Sequence, residues 1–378
     1  MNNIKRGNGN KGFDALRVFE AFSGYGSQSI ALRNLGIPHE VVAISEIDKY
    51  AIKAYYALHD KNIPNLGDIS KINVEDIPEH DLFTYSFPCQ DLSVAGKQAG
   101  LSKGTRSGLL YECEKIIEYC RPKYLLLENV KNLVGKKFKP QFDEWLEYLE
   151  GLGYTNYWKV LNAKDYGIPQ NRERVFVISI LEEHKPYKFP NNIELKLRLK
   201  DILEDVVDEK YYVSKEIQDK FRPNKNIKDV IDSPIRLGGL FDTDKSKHQA
   251  GSVWDTEKIS PTIDTMQGGW RQPCIIDTTN VIGKLDCKGW HDIETRVHGT
   301  NGVSPTIETR NRGKYMDDNN GRIRKLTPRE CFRLMGMRDD DIDKIQRAGI
   351  SNTQQYKMAG NSIVVDVLEA IFRNLFLD

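Results

Sequence analysis

The sequence predicts an α/β protein with a mostly parallel sheet, followed by a smaller, irregular β-rich domain. Three observations carry this. In the first half, short apolar runs alternate with stretches of helical spacing, the pattern of βαβ units. After about Pro190 the chain becomes rich in Asn, Asp, Lys and Gly and has few long apolar runs. From Leu326 helical spacing returns, and the chain closes on the apolar stretch Ile363–Leu377. A chain of 378 residues exceeds what one core commonly holds, so two domains are expected: 13–190 completed by 321–378, and 191–320.

Arg17–Phe22 reads as the first strand and runs into the turn Phe22-Ser23-Gly24-Tyr25-Gly26. A helix over Ser27–Leu35 follows, stopped by Gly36. Val41–Ser45 is a second strand and Lys49–Leu58 a second helix. Leu82–Phe87 is a third apolar run, broken by Pro88, which cannot donate to a ladder. A long glycine-bearing loop, Asp91–Arg106, leads to helical spacing over Leu109–Tyr119. Tyr124–Leu127 and Arg174–Ile180 supply further strands. Sheets of this kind bind ligands beyond the carboxyl ends of their strands. The residues just after each strand are therefore the functional candidates.

Composition excludes several classes. Apolar residues make up 39% of the chain, too many for wholesale disorder. No run approaches the roughly 20 apolar residues of a membrane span, and the polar stretch Met1–Gly12 reads as a loose end rather than a secretory signal. Six cysteines without a Cys-x-x-Cys pair are too sparse for a disulfide scaffold, which points to a reducing, intracellular setting. Cys113 and Cys120 read as core residues. Cys287 and His291 could form half of a metal site but lack a second pair, so no metal is expected. The net charge is only +1, yet Arg296–Lys325 carries seven basic residues against three acids. Such a patch is either a solvated face or a nucleic-acid footprint. The second half also contains a repeat. Val253 to Thr265, with Ser260-Pro261-Thr262-Ile263 at its centre, recurs 44 residues later as Val297 to Thr309, centred on Ser304-Pro305-Thr306-Ile307.

Two ends of the sheet carry the chemistry. At the first, the glycines of the Phe22–Gly26 turn let backbone approach a ligand closely. Glu46 closes the second strand 22 residues after Gly24, where a dinucleotide fold puts a carboxylate for ribose hydroxyls. Gly67-Asp68-Ile69 adds a third polar group. These signals fit a nicotinamide or an adenosyl cofactor equally, and a plain structural turn stays open. At the second end, Phe87-Pro88-Cys89-Gln90 precedes a loop bearing Lys97, Lys103 and Arg106. Nearby cations favour a thiolate, and a thiolate is a nucleophile; a buried, inert thiol stays open. Glu128 follows the strand Tyr124–Leu127 and is a candidate general acid. Gln170-Asn171-Arg172-Glu173-Arg174 adds two rigid guanidinium forks. Singly, Glu128 is as readily a helix cap and the arginines an ion-pair network.

In this order, these residues resemble the S-adenosylmethionine-dependent DNA (cytosine-5) methyltransferases of bacteria and phages. The resemblance runs from about Leu16 to Ile371. It adds Ser107-Gly108-Leu109-Leu110, Glu128-Asn129-Val130, Arg324-Lys325-Leu326-Thr327-Pro328-Arg329-Glu330-Cys331 and Gly360-Asn361-Ser362-Ile363 to the motifs above. It implies a Rossmann-like methyltransferase domain with a target-recognition domain over 191–320. It also implies Cys89 as the nucleophile that adds to cytosine C6, and a protonated Glu128, its carboxyl pKa raised, on N3 and the exocyclic amine. Arg174 would hold the cytosine O2, with Arg172 in support. Around S-adenosylmethionine, and its product S-adenosylhomocysteine, it places Phe22, Gly24, Gly26, Glu46, Ile47, Asp68, Ile69, Pro88, Asn361 and Ser362. Two positions depart from the family pattern: Ile47 stands where an aromatic is usual, and Ser27 where a further glycine is common.

A base inside a duplex cannot reach Cys89, so the resemblance implies that the target cytosine rotates out. The Asp91–Thr105 loop would then close as a lid. Gln90, Ser93, Lys97, Arg106, Arg310 and Arg312 are expected on double-stranded DNA. Thr262-Ile263 and Thr306-Ile307 both match the family's Thr-Leu-like pair near the flipped base, and the sequence does not choose between them. A cytoplasmic, nucleoid-associated monomer is implied, with room for a cognate restriction endonuclease. Two other readings are an RNA (tRNA) cytosine-5 methyltransferase on the same scaffold and a DNA-binding protein on a dead one. The first is disfavoured by the length of the variable region, the second by the intact Cys89, Glu128 and Arg174.

Overall fold

The computed structural model describes residues 15–88, 107–220, 222–223, 232–243, 246–266, 270–277, 281–284, 296–299, 314–316 and 322–378. They divide into two compact units. The first comprises the chain to Leu161 with Arg174–Asn191 and Val367–Asp378; the second comprises Asn162–Glu173 and Asn192–Asp366. Of the C-terminal stretch that the sequence reading joined to the first domain, only Val367–Asp378 falls in the first unit.

The first unit is built on a six-stranded sheet. Its strands are β1 Leu16–Ala21, β2 His39–Ser45, β3 Leu82–Tyr85, β4 Tyr124–Val130, β5 Tyr154–Asn162 and β6 Glu173–Leu181, in the order β2-β1-β3-β4-β6-β5. β1 pairs in parallel with β2 and β3, and β3 with β4; β6 runs antiparallel to β4. The connecting helices are α1 Ser27–Asn34, α2 Lys49–Leu58, α3 Leu110–Cys120 and α4 Lys139–Gly151. β3 is buried throughout, as a central parallel strand with both faces covered must be. One face packs Phe19, Phe83 and Tyr85 against Cys113, Ile116 and Ile117 of α3 and Phe142, Trp145 and Leu149 of α4.

β4 extends three residues beyond the expected Leu127 because β6 supplies partners. Glu128, Asn129 and Val130 pair with Phe176, Val175 and Arg174. α4 and β5 were not anticipated from the sequence. β5 is largely half-exposed, which blurs the alternation that marks a strand. The terminal helix returns to this unit: Asn34 donates to Glu369 (2.7 Å), and Tyr124 meets the Phe376 ring edge-on.

The second unit is β-rich and irregular. One sheet orders β14 Arg322–Lys325, β10 Cys274–Asp277, β9 Ser252–Trp254, β8 Arg236–Gly239 and β7 Arg222–Pro223. A second joins β11 Val281–Lys284, β12 Arg296–Gly299 and β13 Lys314–Met316. After the short helix α5 Lys215–Gln218, the helices are α6 Pro328–Arg333, α7 Asp339–Arg347, α8 Asn352–Asn361 and α9 Val365–Phe376, which ends in the first unit. α6 opens with a capping box, Thr327 with Glu330, and Pro328 in its first turn.

Candidate active site

The turn from β1 into α1 needs left-handed backbone at Phe22, Gly24 and Gly26, with φ of 55°, 57° and 83°. Phe22 N–H donates to Ser45 O (2.7 Å), which ties the turn to the end of β2. Gly26 has no alternative: a Cβ there would lie 2.4 Å from the His59 ring and 2.7 Å from Tyr55. At Gly24 and Gly67 an added Cβ meets nothing within 4 Å, so both turns border open space. Glu46 stands at the edge of the first turn. Its Oε2 accepts from Gly24 N (3.0 Å), and its Oε1 accepts from Ile47 N and Asp48 N (2.8 Å each). Asn65 locks this arrangement, accepting from Glu46 N and Gly67 N and donating to Glu46 O.

Other expected cofactor positions sort by surroundings. Ile47 is 72% exposed beside Glu46. Asp68 caps a single helical turn, accepting from Ser70 N and Ser70 Oγ, and those bonds hold its carboxyl below the usual range. Ile69, by contrast, is buried in the hydrophobic core, so its side chain packs rather than binds. The hydroxyl oxygens of Ser23 and Ser86, just past β1 and β3, are buried and lack a partner among the described residues. A carboxylate already oriented by backbone, open space at two glycine turns and two orphan hydroxyls suit an elongated adenosyl amino acid.

At the reacting end, sheet register sets the geometry. Glu128 lies opposite Phe176, so Arg174, two residues before Phe176, shares its face as a diagonal neighbour. Arg174 Nε is 3.2 Å from Glu128 Oε1, with both side chains largely buried. The next residue on β4 reaches the other way: Asn129 Nδ2 donates to Phe87 O (3.0 Å), fixing the chain two residues before Cys89. Asn129 Oδ1 accepts from Val130 N, so the amide is held at both ends. The described cysteines are not nucleophiles at neutral pH. Burial pushes the thiols of Cys113 and Cys331 far up, Cys120 to about 11 and Cys274 to about 12.

In the second unit the same motif turns into a clamp. Arg172 is buried, and its guanidinium donates to Ile263 O (2.9 Å), Gly360 O (2.8 Å) and Ser362 O (2.8 Å). Gln170 donates to Leu334 O and accepts from Ile263 N. Ser260 N donates to Pro169 O, Asn171 N to Ser260 O, and the Thr262 hydroxyl to Asn171 O. The first Ser-Pro-Thr-Ile copy is thus bound along Pro169–Arg172, with Thr262 exposed and Ile263 buried. Gly360 packs directly on it: a Cβ there would lie 1.9 Å from Asp264 O. Asn361 is exposed at the end of α8, and Ser362 Oγ donates to Ala359 O.

The basic segment is only partly a free face. Arg324 is fully buried and forks onto Glu330 (2.8 and 2.9 Å). Arg322 stacks on Tyr212 and pairs with Glu209, and Lys325 lies 3.9 Å over the Trp270 ring. Neither reading of the stretch, a solvated face or a nucleic-acid footprint, therefore holds at its C-terminal end. There the charges meet structural partners on β14, which pairs antiparallel with β10 at the edge of the five-stranded sheet. Cys89, Gln90, Ser93, Lys97, Arg106, Thr306, Arg310 and Arg312 lie outside the described residues, as do Cys287 and His291. Among the described residues, no cluster of three or more His, Cys, Asp or Glu could hold a metal, and no helix is long and apolar enough to cross a membrane. Sequence reading passed over Glu20 and Asn65 and gave Gln170 no role of its own, because their roles depend on contacts distant in the chain.

A parallel-sheet domain with a glycine turn after its first strand and a backbone-held carboxylate after its second is an enzyme scaffold for an adenosyl-type ligand. The comparisons narrow the class. A model of the C-5 cytosine-specific DNA methylase family matches residues 16–377. The type II methyltransferase M2.ScrFI of Lactococcus lactis subsp. cremoris is 40% identical over 415 residues, covering 96% of this chain and 99% of that one. The orphan methyltransferase M.SPBetaI of Bacillus phage SPbeta is 34% identical over 438 residues, with 95% and 97% covered. In structure, the chain resembles the Schizosaccharomyces pombe Dnmt2 methyltransferase (TM-score 0.64, 20% identity, 95% and 97% covered). It likewise resembles the Entamoeba histolytica methyltransferase EhMeth (TM-score 0.65, 19% identity, 96% and 98% covered). The chain belongs to the C-5 cytosine-specific DNA methylases and is a DNA (cytosine-5) methyltransferase.

Proposed function

We propose that this enzyme methylates a cytosine turned out of a short specific site in duplex DNA, through a transient bond between Cys89 and the cytosine C6. The Phe22–Gly26 turn and Glu46 would hold S-adenosylmethionine, which would supply an electrophilic methyl group. The Cys89 thiolate adds to C6, and the displaced electron pair enriches C5 and N3. Glu128 gives a proton to N3, and Arg174 holds the developing charge at O2. C5 then takes the methyl group, its bond to the sulfonium breaking to leave S-adenosylhomocysteine; N3 returns its proton to Glu128, a base removes the C5 proton, and the electron pair that returns to the ring expels the thiolate. The observation that carries this reading is the register of β4 on β6. It sets Glu128 and Arg174 on one face while Asn129, between Glu128 and Val130, holds the carbonyl of Phe87 just before Cys89.

The region 191–320 reads the DNA site. We assign the pair beside the turned-out base to Thr262-Ile263 on its attachment to Pro169–Arg172. Arg310, Arg312, Lys97, Arg106, Gln90 and Ser93 are proposed DNA contacts on their sequence positions alone. Relatives named type II methyltransferases support a restriction-modification setting with a cognate endonuclease.

Duplex DNA carrying 5-fluorocytosine at the target tests the covalent step, because fluorine cannot leave as a proton. With S-adenosylmethionine, a complex stable to denaturing gel electrophoresis is expected from the natural enzyme and none from Cys89→Ala. Normal turnover on cytosine without any trapped complex would refute the adduct.

A further inference from the structure

Glu20 is the one fully buried carboxylate on β1, and the reaction does not use it. It sits on the strand that enters the cofactor turn, two residues before Phe22. Its Oε1 accepts from Ser29 N (3.0 Å) and Ser29 Oγ (2.8 Å), and its Oε2 accepts from Tyr55 OH (2.8 Å). Ser29 is the third residue of α1, and the helix's own N-cap is Gly26, which has no side chain to offer. A glutamate from the preceding strand therefore supplies the missing cap. Tyr55 carries the connection onward. Its ring lies 4.4 Å from that of His59, whose Nε2 is 3.0 Å from Tyr25 O inside the turn.

We propose that Glu20 is a positioning residue for cofactor binding: as a carboxylate it braces the first turn of α1 and the Tyr55–His59 side of α2, holding the Phe22–Gly26 turn in its binding shape. This rests on the reading of that turn as the S-adenosylmethionine site. Three donors converge on the carboxylate, and bonds to a charged acceptor are the stronger kind. Protonation leaves one oxygen a hydroxyl, which must itself donate, and the brace loosens. Around Glu20, β2 contributes Ile44 and β3 contributes Thr84 in register, neither charged. The titratable neighbours are Tyr55, whose burial keeps it neutral, and His59 behind it. Burial pushes the Glu20 carboxyl up to about 7, outweighing the three hydrogen bonds that act in the other direction. Its protonation therefore changes near neutral pH.

The test is the dissociation constant of S-adenosylhomocysteine, followed by calorimetry on the whole enzyme between about pH 5.5 and 8.5. The natural protein should bind roughly five-fold tighter at the alkaline end, a modest coupling. Glu20→Gln, which keeps the shape and cannot titrate, should lose the step. Its unfolding midpoint should also lose a trend that runs the opposite way. A carboxyl raised in the fold destabilises it as pH climbs from the unfolded value toward about 7. Tyr55→Phe removes one donor to the charged form and should move the binding step to higher pH, whatever the fate of the glutamine variant. His59→Gln should leave the step in place. A flat profile in the natural protein, a step that survives Glu20→Gln, or one abolished by His59→Gln would overturn the proposal. Glu46→Ala separates the two readings: unchanged S-adenosylhomocysteine affinity there would remove the cofactor site itself.

Discussion

Replacing Arg172 by methionine separates holding from chemistry at the paired arginines. Arg172 is 3% exposed, and its guanidinium donates to three backbone carbonyls at 2.8–2.9 Å. Methionine fills similar volume but leaves those carbonyls without that donor. At about 1–2 kcal/mol for each of the three bonds lost, the change should cost roughly 3–6 kcal/mol of folding stability. That is a large part of the 5–15 kcal/mol typical of a domain. Lysine has one ammonium and no fork, so Arg172→Lys should recover only about a third of the loss. Urea unfolding followed by circular dichroism reads the stability, and single-turnover methyl transfer on folded protein reads the chemistry. Arg174→Lys is the comparison. It keeps the charge beside Glu128 and should shift stability by less than about 1 kcal/mol while slowing transfer at least roughly a hundred-fold. If Arg172→Met unfolded at the same urea concentration as the natural enzyme yet transferred no methyl groups, the guanidinium would be working on the base. The clamp would then be the wrong account.

Glu128→Gln can still accept and donate hydrogen bonds but cannot deliver a proton. Single-turnover transfer should fall by roughly two to four orders of magnitude with S-adenosylhomocysteine affinity within about two-fold. Equal rates would exclude proton donation by this group. Thr262→Val removes the hydroxyl that donates to Asn171 O, and cognate-duplex affinity should drop by about five- to ten-fold in a gel-shift titration. Thr306→Val should change it by less than about two-fold, and the reverse ranking would assign the base-side pair to the second copy.

Much of the first unit was legible in the sequence, because alternating apolar runs and glycine turns are local signals. The second helix was read to the residue, and β1, β2 and α3 within two or three. What escaped depended on partners far along the chain. β4 runs to Val130 only because Arg174–Phe176 lie antiparallel beside it, and no property of Glu128-Asn129-Val130 announces that. Ile69 looked like a ligand contact by its place after Gly67-Asp68, but the core behind it claims the side chain. The charged residues proposed for the reaction were readable as motifs. Their division of labour was not: Arg172 and Arg174 differ by two positions, yet one closes a clamp on carbonyls and the other meets a carboxylate. The basic stretch misled for the same reason, since Arg324 finds Glu330 only once α6 is capped.

The attachment of Ser260–Ile263 to the Pro169–Arg172 strip is largely a matter of backbone. Four of its five bonds run through main-chain atoms of the 260–263 segment: the amide and carbonyl of Ser260 and the amide and carbonyl of Ile263. The peptide backbone is common to every residue, so this seat takes little notice of which side chains ride on it. A transplanted reading segment needs only to present the same short extended path and a small hydroxyl residue at position 262. On the proposed reading of 191–320 as the DNA reader, other reading segments can be fitted to the same seat.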